Sequence, residues 1–367
     1  MRLFFVLLIS IVSSQFLLSQ IDIQKVFINT KLRSINENFV CTKVIDNRCV
    51  KDHVGHLDDY SKNGFKQAIL EGEFETTVKQ LINEIFNAET AETRIVCIVH
   101  EFYLNESYYF KTRLAECTIE LEFALEQDSS LISFGKFKAI AKKSPIVPEK
   151  VHSRHIIFCI GNCIMQFLNE FETGAIDRSE FELEECPSFS YHNQKIGCYT
   201  SYSGILKNKP IENSEIEFEI KPSLYNDVKT FQINKIKSKK GSLPNRVIAF
   251  DGESYYMQSS IYSQTDYYVK SFSVGRYICF IDRAMGKHAG FVFGAVAGAF
   301  TKKNLVVLLD TKTGDYILGT KKNLIEILEE HPDLLSEYES SHRTLENLKS
   351  LFIKLNNRLT EQTTAAE

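Results

Sequence analysis

Cys41, Cys49, His53 and His56 form a C-x(7)-C-x(3)-H-x(2)-H string near the start of the chain. Thiolate and imidazole are the ligands zinc prefers, and four of them within so short a stretch offer a structural site. The gap between the cysteines is wider than in the usual zinc motifs, so the string reads equally as a disulfide flanked by surface histidines. A second string, His152, His155, Cys159 and Cys163, is spaced by three, four and four, which makes one stripe of a helix. It could bind a metal or serve redox chemistry. It also borders the apolar positions Ile156, Ile160, Ile164, Phe167 and Phe171, where cysteine packs as a small hydrophobe.

Gly286, Gly290, Gly294 and Gly298 recur every fourth residue in GKHAGFVFGAVAGAF. On a helix they leave one face bare, so that another backbone can approach closely, as in small-xxx-small membrane packing. Glycine costs about 1 kcal/mol against alanine in a helix, so four in register ask for a reason. The apolar run 289–300 is too short to cross a bilayer of ~30 Å alone. Three placements stay open: a helix packed on its own domain, a membrane-inserting or oligomerising segment, and a glycine-bent strand. These four glycines are the candidate interaction residues.

Catalytic patterns are incomplete. His100-Glu101 has no second histidine at metalloprotease spacing, and there is no G-x-S-x-G elbow and no phosphate loop. Asp310-Thr311-Lys312-Thr313-Gly314 shares letters with the phosphorylated-aspartate loop of ion pumps, but an extra Thr interrupts it. Glu116, Glu120 and Glu122 alternate along a strand and read as a solvated face. The basic run 235–240 lacks interleaved aromatics, and the net charge of −4 points to no nucleic acid. Asn105-Glu106-Ser107 fits a glycan sequon. No cofactor is implied.

Met1-Arg2, the apolar run 3–12 and a Ser-rich exit to Gln20 match a secretory leader. The expected mature protein, about 347 residues, is exported to the periplasm or cell envelope. Export permits disulfides, and with nine cysteines at least one thiol stays free or pairs between chains. Cys41 with Cys49, and Cys186 with Cys198, are the expected pairs because they fall in loop-like sequence.

The elements that must position these residues divide into two domains and a tail. Residues 21–175 read as an α+β domain. They comprise an opening strand at 21–33, an irregular stretch to about 64, a helix from Glu73 whose apolar residues Phe74, Val78, Leu81, Ile82, Ile85 and Phe86 share a face, and strands at 94–104, 115–125 and 131–143. A helix over 152–171 completes it. Both helices are expected on the apolar face of an antiparallel sheet. Residues 176–320 read as mainly β, with hairpins turning at Asp251-Gly252 and at 310–315. Residues 321–367 read as a helical tail interrupted at His331-Pro332. Leu345, Leu348, Phe352, Leu355 and Leu359 form a seam expected to dock on the protein's own sheet.

Three pieces of the second half carry a resemblance: the G-x-Y-x-S-x(4)-L-x-N-x-P stretch at 197–210, the Asp251-Gly252 hairpin with Gly275-Arg276-Tyr277, and the Asp310-x-x-Thr313-Gly314 turn. Together they resemble a module of uncharacterised exported proteins of Bacteroidota-type bacteria. The likeness implies an envelope location and no established activity. The sequence therefore reads as a non-catalytic envelope protein that binds a protein, lipid or envelope component. The alternatives are a membrane-associated homo-oligomer built through the glycine segment and a metal-dependent enzyme using a His/Cys string.

Overall fold

A computed structural model of the chain describes residues 23–26, 28, 38–59, 64–87, 91–109, 112–127, 130–143, 149–174, 179–181, 183, 185–191, 193–199, 201–210, 219–225, 228–234, 248–258, 268–284 and 303–366. The leader, the basic run and all four glycines of the 286–298 repeat lie outside the described residues.

The first unit is an eight-stranded sheet under two helices. Strands β1 (Ile23–Val26), β2 (Phe39–Asp46), β3 (Gly55–Asp59), β4 (Gly64–Leu70), β5 (Thr93–Tyr109), β6 (Thr112–Gln127), β7 (Ser130–Lys143) and β8 (Ser179–Glu180) run in the order β1-β4-β3-β5-β6-β7-β8, with β2 also on β5. Strand β5 is long enough that one edge holds β2 in parallel along Thr93–Val99 and β3 near Leu104 and Asn105. Two strands, β2 and β3, thus lie in the stretch expected to be irregular. A bulge between Cys41 and Lys43 breaks the alternation of β2, which hid it from a period-two reading. The sheet is also mixed rather than antiparallel throughout, since β1–β4, β2–β5 and β3–β5 are parallel pairs.

Helix α1 (Phe74–Phe86) buries Val78, Leu81, Ile82, Ile85 and Phe86, the face its periodicity marks, and ends where Asn87 takes a left-handed conformation. Helix α2 (Glu149–Thr173) lies on β6 and β7. Phe167 packs against Phe39, Phe123, Phe134, Phe137 and Phe171 at the centre of this core.

In the second unit, β9 (Gly197–Tyr199), β10 (Glu219–Tyr225), β11 (Val228–Asn234), β12 (Ile248–Phe250), β13 (Tyr255–Gln258), β14 (Tyr268–Ser273), β15 (Tyr277–Ala284), β16 (Lys303–Asp310) and β17 (Tyr316–Leu318) make an antiparallel sheet ordered β17-β16-β15-β14-β13-β12-β9. Strand β11 pairs with β14 and β10 with β11. Both expected hairpins form, Ile248–Phe250 with Tyr255–Gln258 and β16 with β17. One face, with Cys279, Val306 and Leu308, is covered by α4 (Lys321–Leu328), α5 (Pro332–Ser340) and α6 (Leu345–Ala366). Phe352 and Leu355 of the expected helical seam are buried there, with Leu348 and Leu359 packed against them, so α6 docks on its own sheet. The other face packs on the short helix α3 (Tyr202–Leu206) and also takes in Cys49 and Val50 from the first unit. The fold is α+β, as the sequence pattern implies.

Phe167→Ala should remove the hub of the first core and cost about 3–5 kcal/mol, the range for a fully buried phenylalanine. Denaturant unfolding followed by tyrosine fluorescence measures it, and a loss under 1 kcal/mol would contradict the packing described.

Candidate functional site

The loop between β2 and β3 is built around Arg48, which is buried. Its guanidinium holds both carboxylate oxygens of Asp46 at 2.8–2.9 Å, donates to the His53 carbonyl at 2.9 Å and stacks 3.8 Å over Phe74. This fixes the approach to His53 and, two residues later, to Gly55. Gly55 has φ +134°, and a Cβ there would stand 1.9 Å from the Leu104 carbonyl oxygen. Only glycine lets β3 lie this close to β5 and present His56 on the face away from the helices.

The partner comes from the turn between β16 and β17. Asp310 accepts the Lys312 and Thr313 amides at 2.7 and 3.2 Å and pairs with Arg276 at 2.8 Å. Burial pushes its carboxyl upward, and Arg276 and the two amides oppose that push. Thr311 donates its hydroxyl to the Gly275 and Arg276 carbonyls at 3.1 and 2.9 Å, and Tyr202 donates to the Thr311 carbonyl. Gly314, at φ +76°, leaves room for the Tyr202 ring, which a Cβ would meet at 2.5 Å. The turn thereby presents Asp315.

Asp315 meets the first unit there. Its Oδ1 accepts from His56 Nε2 at 2.8 Å and from Gln67 Nε2 at 3.0 Å, and Gln67 also reaches Oδ2 at 3.0 Å. His53 Nε2 comes within 3.3 Å of the same Oδ1, out of line for a full hydrogen bond. The two imidazoles meet edge to face at 4.5 Å, and Tyr103 Oη lies 3.1 Å from His56 Nδ1. Burial opposes ionisation of Asp315, but the adjoining imidazoles of His53 and His56 outweigh it and hold the carboxyl far below the ordinary aspartate range. The same contact region is stapled by a disulfide, Cys49–Cys186, with a Cα separation of 5.3 Å.

This arrangement revises the expected zinc string. Cys41 is a buried thiol in the first core, donating to the Lys43 carbonyl at 3.3 Å, and burial pushes it up to about 11. Cys49 is consumed by the disulfide. The expected pairs Cys41–Cys49 and Cys186–Cys198 do not form, and Cys198 is a buried free thiol. Cys41 lies inside β2 rather than in a loop, and the bond links the two units across 137 residues. The two histidines remain together with Asp315, within 4.8 Å.

Two observations show that this trio does not suit zinc. The Gly55 amide donates to His53 Nδ1 at 3.0 Å, so that nitrogen has no proton and Nε2, the atom facing Asp315, carries it. A neutral imidazole binding metal through Nε2 would need the reverse tautomer. Tetrahedral zinc with bonds of about 2.0–2.1 Å also spaces its ligand atoms roughly 3.3 Å apart, whereas His56 and Asp315 are in direct contact at 2.8 Å.

Nor do the remaining candidates form a catalytic set. His152 bonds Glu106 at 2.7 Å with both side chains buried. Burial first, then His152 and Lys143, pushes His155 down to about 4. Cys159 donates to the Cys117 carbonyl at 3.5 Å and Cys163 to the Phe137 carbonyl at 3.3 Å. Burial pushes Cys163 up to about 12, so this stripe is packed core and not thiolate.

His100, Glu122 and Ser133 do touch, but the carboxylate stands in the middle: His100 Nε2 lies 2.6 Å from Oε2, and the Ser133 hydroxyl donates to Oε1. The serine thus faces a carboxylate that the His100 and Ser133 hydrogen bonds hold low against its burial, a weaker base than the imidazole of a Ser-His pair. Glu122 and Glu116 are buried, so the alternating acidic face is not simply solvated. Lys142 of β7 faces Glu116 at 3.6 Å, and Lys138 faces Glu120 at 3.5 Å and Glu101 of β5 at 2.6 Å. Asn105 of the sequon is buried within β5 and unavailable to a glycan in the folded state. A cleft beside His53, lined by Arg48, Glu101, Ser201, Tyr202 and Thr313, has a volume of about 40 Å³. That is room for a few waters.

Residues 197–362, somewhat less than half of the chain, match the model of DUF6563, a family of unknown function. No curated protein matches. The matched stretch contains Tyr202, Gly275, Arg276 and the whole turn that ends in Asp315, whereas His53, His56 and Gln67 lie before it. The three motifs quoted from the sequence are therefore not separate sites. Two of them, with Tyr202 beside the first, converge on one turn.

Asp315→Asn should cost about 2–3 kcal/mol, the scale of hydrogen bonds to a charged partner. A double-mutant cycle with Gln67→Ala should show coupling of about 0.5–3 kcal/mol. Because the folded carboxylate titrates below its unfolded value, its stabilisation is fully present above about pH 4 and is lost as the pH falls toward the folded value. The stability gap between wild type and Asp315→Asn should therefore stay constant from pH 5 down to pH 4 and narrow below that in urea titrations.

Proposed function

We propose that this is a non-catalytic, exported protein of the cell envelope that binds a protein, lipid or envelope component, with its two units held as one body. The observation that carries the reading is the Cys49–Cys186 bond. A disulfide joining two units persists in an oxidising compartment, and the other seven cysteines are buried thiols that serve packing. The leader-like start of the chain supports the same address. The reading also draws on the resemblance to exported Bacteroidota-type proteins, a source proposed here from the motifs alone. The incomplete catalytic sets among the described residues favour binding over turnover.

Membrane association through residues 286–300, with or without homo-oligomer formation, is a second reading. No helix among the described residues is long and apolar enough to cross a membrane. Ala284 pairs with Lys303, so the chain leaves and re-enters the sheet at a single point around this segment.

Fractionation of cells expressing the full chain tests both readings. The first expects a processed protein outside the cytoplasm, released by high salt or carbonate, with one disulfide by mass after alkylation. A reduced, unprocessed cytoplasmic protein would refute it. Retention in carbonate-washed membranes that is lost in Gly290→Leu plus Gly294→Leu would favour the second reading.

A further inference from the structure

We propose that the contact between the two units is a proton-responsive latch, in which His56 takes up the proton and His53, whose far nitrogen accepts a backbone amide, stands beside it. The inference rests on the geometry of the interface and stands apart from the export reading.

The two histidines touch the same carboxylate oxygen but differ at their far nitrogens. His53 Nδ1 accepts the Gly55 amide at 3.0 Å, and both groups are buried. A second proton on that ring would face the amide hydrogen head-on, so it would cost the loop this hydrogen bond. His56 has an acceptor at each end: Asp315 Oδ1 at 2.8 Å from Nε2, and Tyr103 Oη at 3.1 Å from Nδ1. A hydroxyl donates or accepts by rotating, so Tyr103 satisfies His56 Nδ1 with or without a proton there. Neutral His56 gives the latch a hydrogen bond. Protonated His56 gives it an ion pair in the same geometry.

The surroundings agree. Strand β4 contributes the neutral Gln67 amide, β5 the Tyr103 hydroxyl and, on the same rung, Asn105, and β17 the Tyr316 ring. The turn contributes Asp315, with Asp310 already committed to Arg276. Arg48 is spent on Asp46 and on the His53 and Lys51 carbonyls. Among these groups the charge facing His56 is the Asp315 carboxylate, and no cation competes for the same oxygen.

The sign follows from linkage. A proton held more tightly in the latched state stabilises that state fully below the titration of a free histidine, about pH 6.5, and the contribution is lost as the pH rises through the latched histidine's own titration. The two units should therefore hold together more firmly in mildly acidic surroundings.

Urea titrations of the purified protein at pH 6 and pH 8.5 test this, with His56→Gln, His53→Gln and Tyr103→Phe alongside wild type. The latch predicts that the midpoint gap between wild type and His56→Gln narrows at least twofold at pH 8.5, whereas the gap for His53→Gln is unchanged. Tyr103→Phe, which keeps the ring and removes one acceptor of the protonated form, should lose part of the pH dependence even if His56→Gln folds poorly. Gaps for His56→Gln and Tyr103→Phe that do not vary with pH would overturn the proposal. So would a rise in wild-type thermal stability on adding zinc alone that Asp315→Asn abolishes, since the trio would then be a metal site.

Discussion

One carboxylate decides how the two halves of this molecule meet. Asp315 accepts hydrogen bonds from His56 and Gln67 and the close approach of His53, all from the other unit. Taking a carboxylate largely out of water is costly unless donors surround it, so Asp315 needs these groups wherever the two halves meet. Much of the neighbouring structure fixes this meeting. Arg48 and Gly55 shape the histidine side, and Arg276, Thr311, Tyr202 and Gly314 shape the aspartate side. The glycines on the two sides have one reason between them: each lets a neighbour approach where a Cβ would collide.

The polar contact sets orientation, and apolar burial and covalent linkage supply strength. Cys49 and Val50 reach from the first unit into the core of the second, and the Cys49–Cys186 bond closes a loop of 137 residues around them. Hydrophobic contact is indifferent to small rotations, whereas a carboxylate facing two imidazoles and an amide is not. The division explains why so many residues of the second unit serve a turn and not a pocket.

Elements with an unbroken local period were legible from the sequence. Helix α1, the alternation along β6 and the hairpins at Asp251-Gly252 and Asp310–Asp315 each announce themselves within a few residues. Strand β2 was hidden by a bulge that shifts its period, and β3 by being short and polar apart from Leu57. The site itself was half legible. His53 and His56 stand out as a pair, but Asp315 lies 259 residues from His56 and looks like an ordinary turn residue. The disulfide was misassigned for the same reason, since neighbours in sequence are a poor guide to partners across an interface. The buried glutamates of β6 were misread because the groups that meet them, Lys142 and Ser133 of β7 and His100 of β5, sit on other strands, whose alternation had to be aligned with theirs in register.

Register also explains why the latch is polar at all. Gln67, His56, Asn105, Glu116 and Lys142 occupy one rung across five strands, β4-β3-β5-β6-β7. Their chain neighbours Leu57, Leu104, Cys117 and Ala141 are buried in the helix-covered core. Because side chains alternate, a sheet that commits one set of positions to its helices leaves the next set for the opposite face, and on this rung that set is wholly polar, whereas Val96, Ile98 and Ala124 form an apolar cluster farther along the same face. A second unit cannot dock on such a row by apolar contact alone. It must offer a group that this row can satisfy, and an anion held out on a rigid turn suits a rung on which an imidazole lies beside the Gln67 amide, with the Tyr103 hydroxyl against its far nitrogen. A one-residue slip of β3 would turn His56 inward, bury a histidine among leucines and remove the partner that Asp315 needs. The registry of the first sheet and the docking of the second are thus a single constraint, which ties the folding of one unit to the placement of the other.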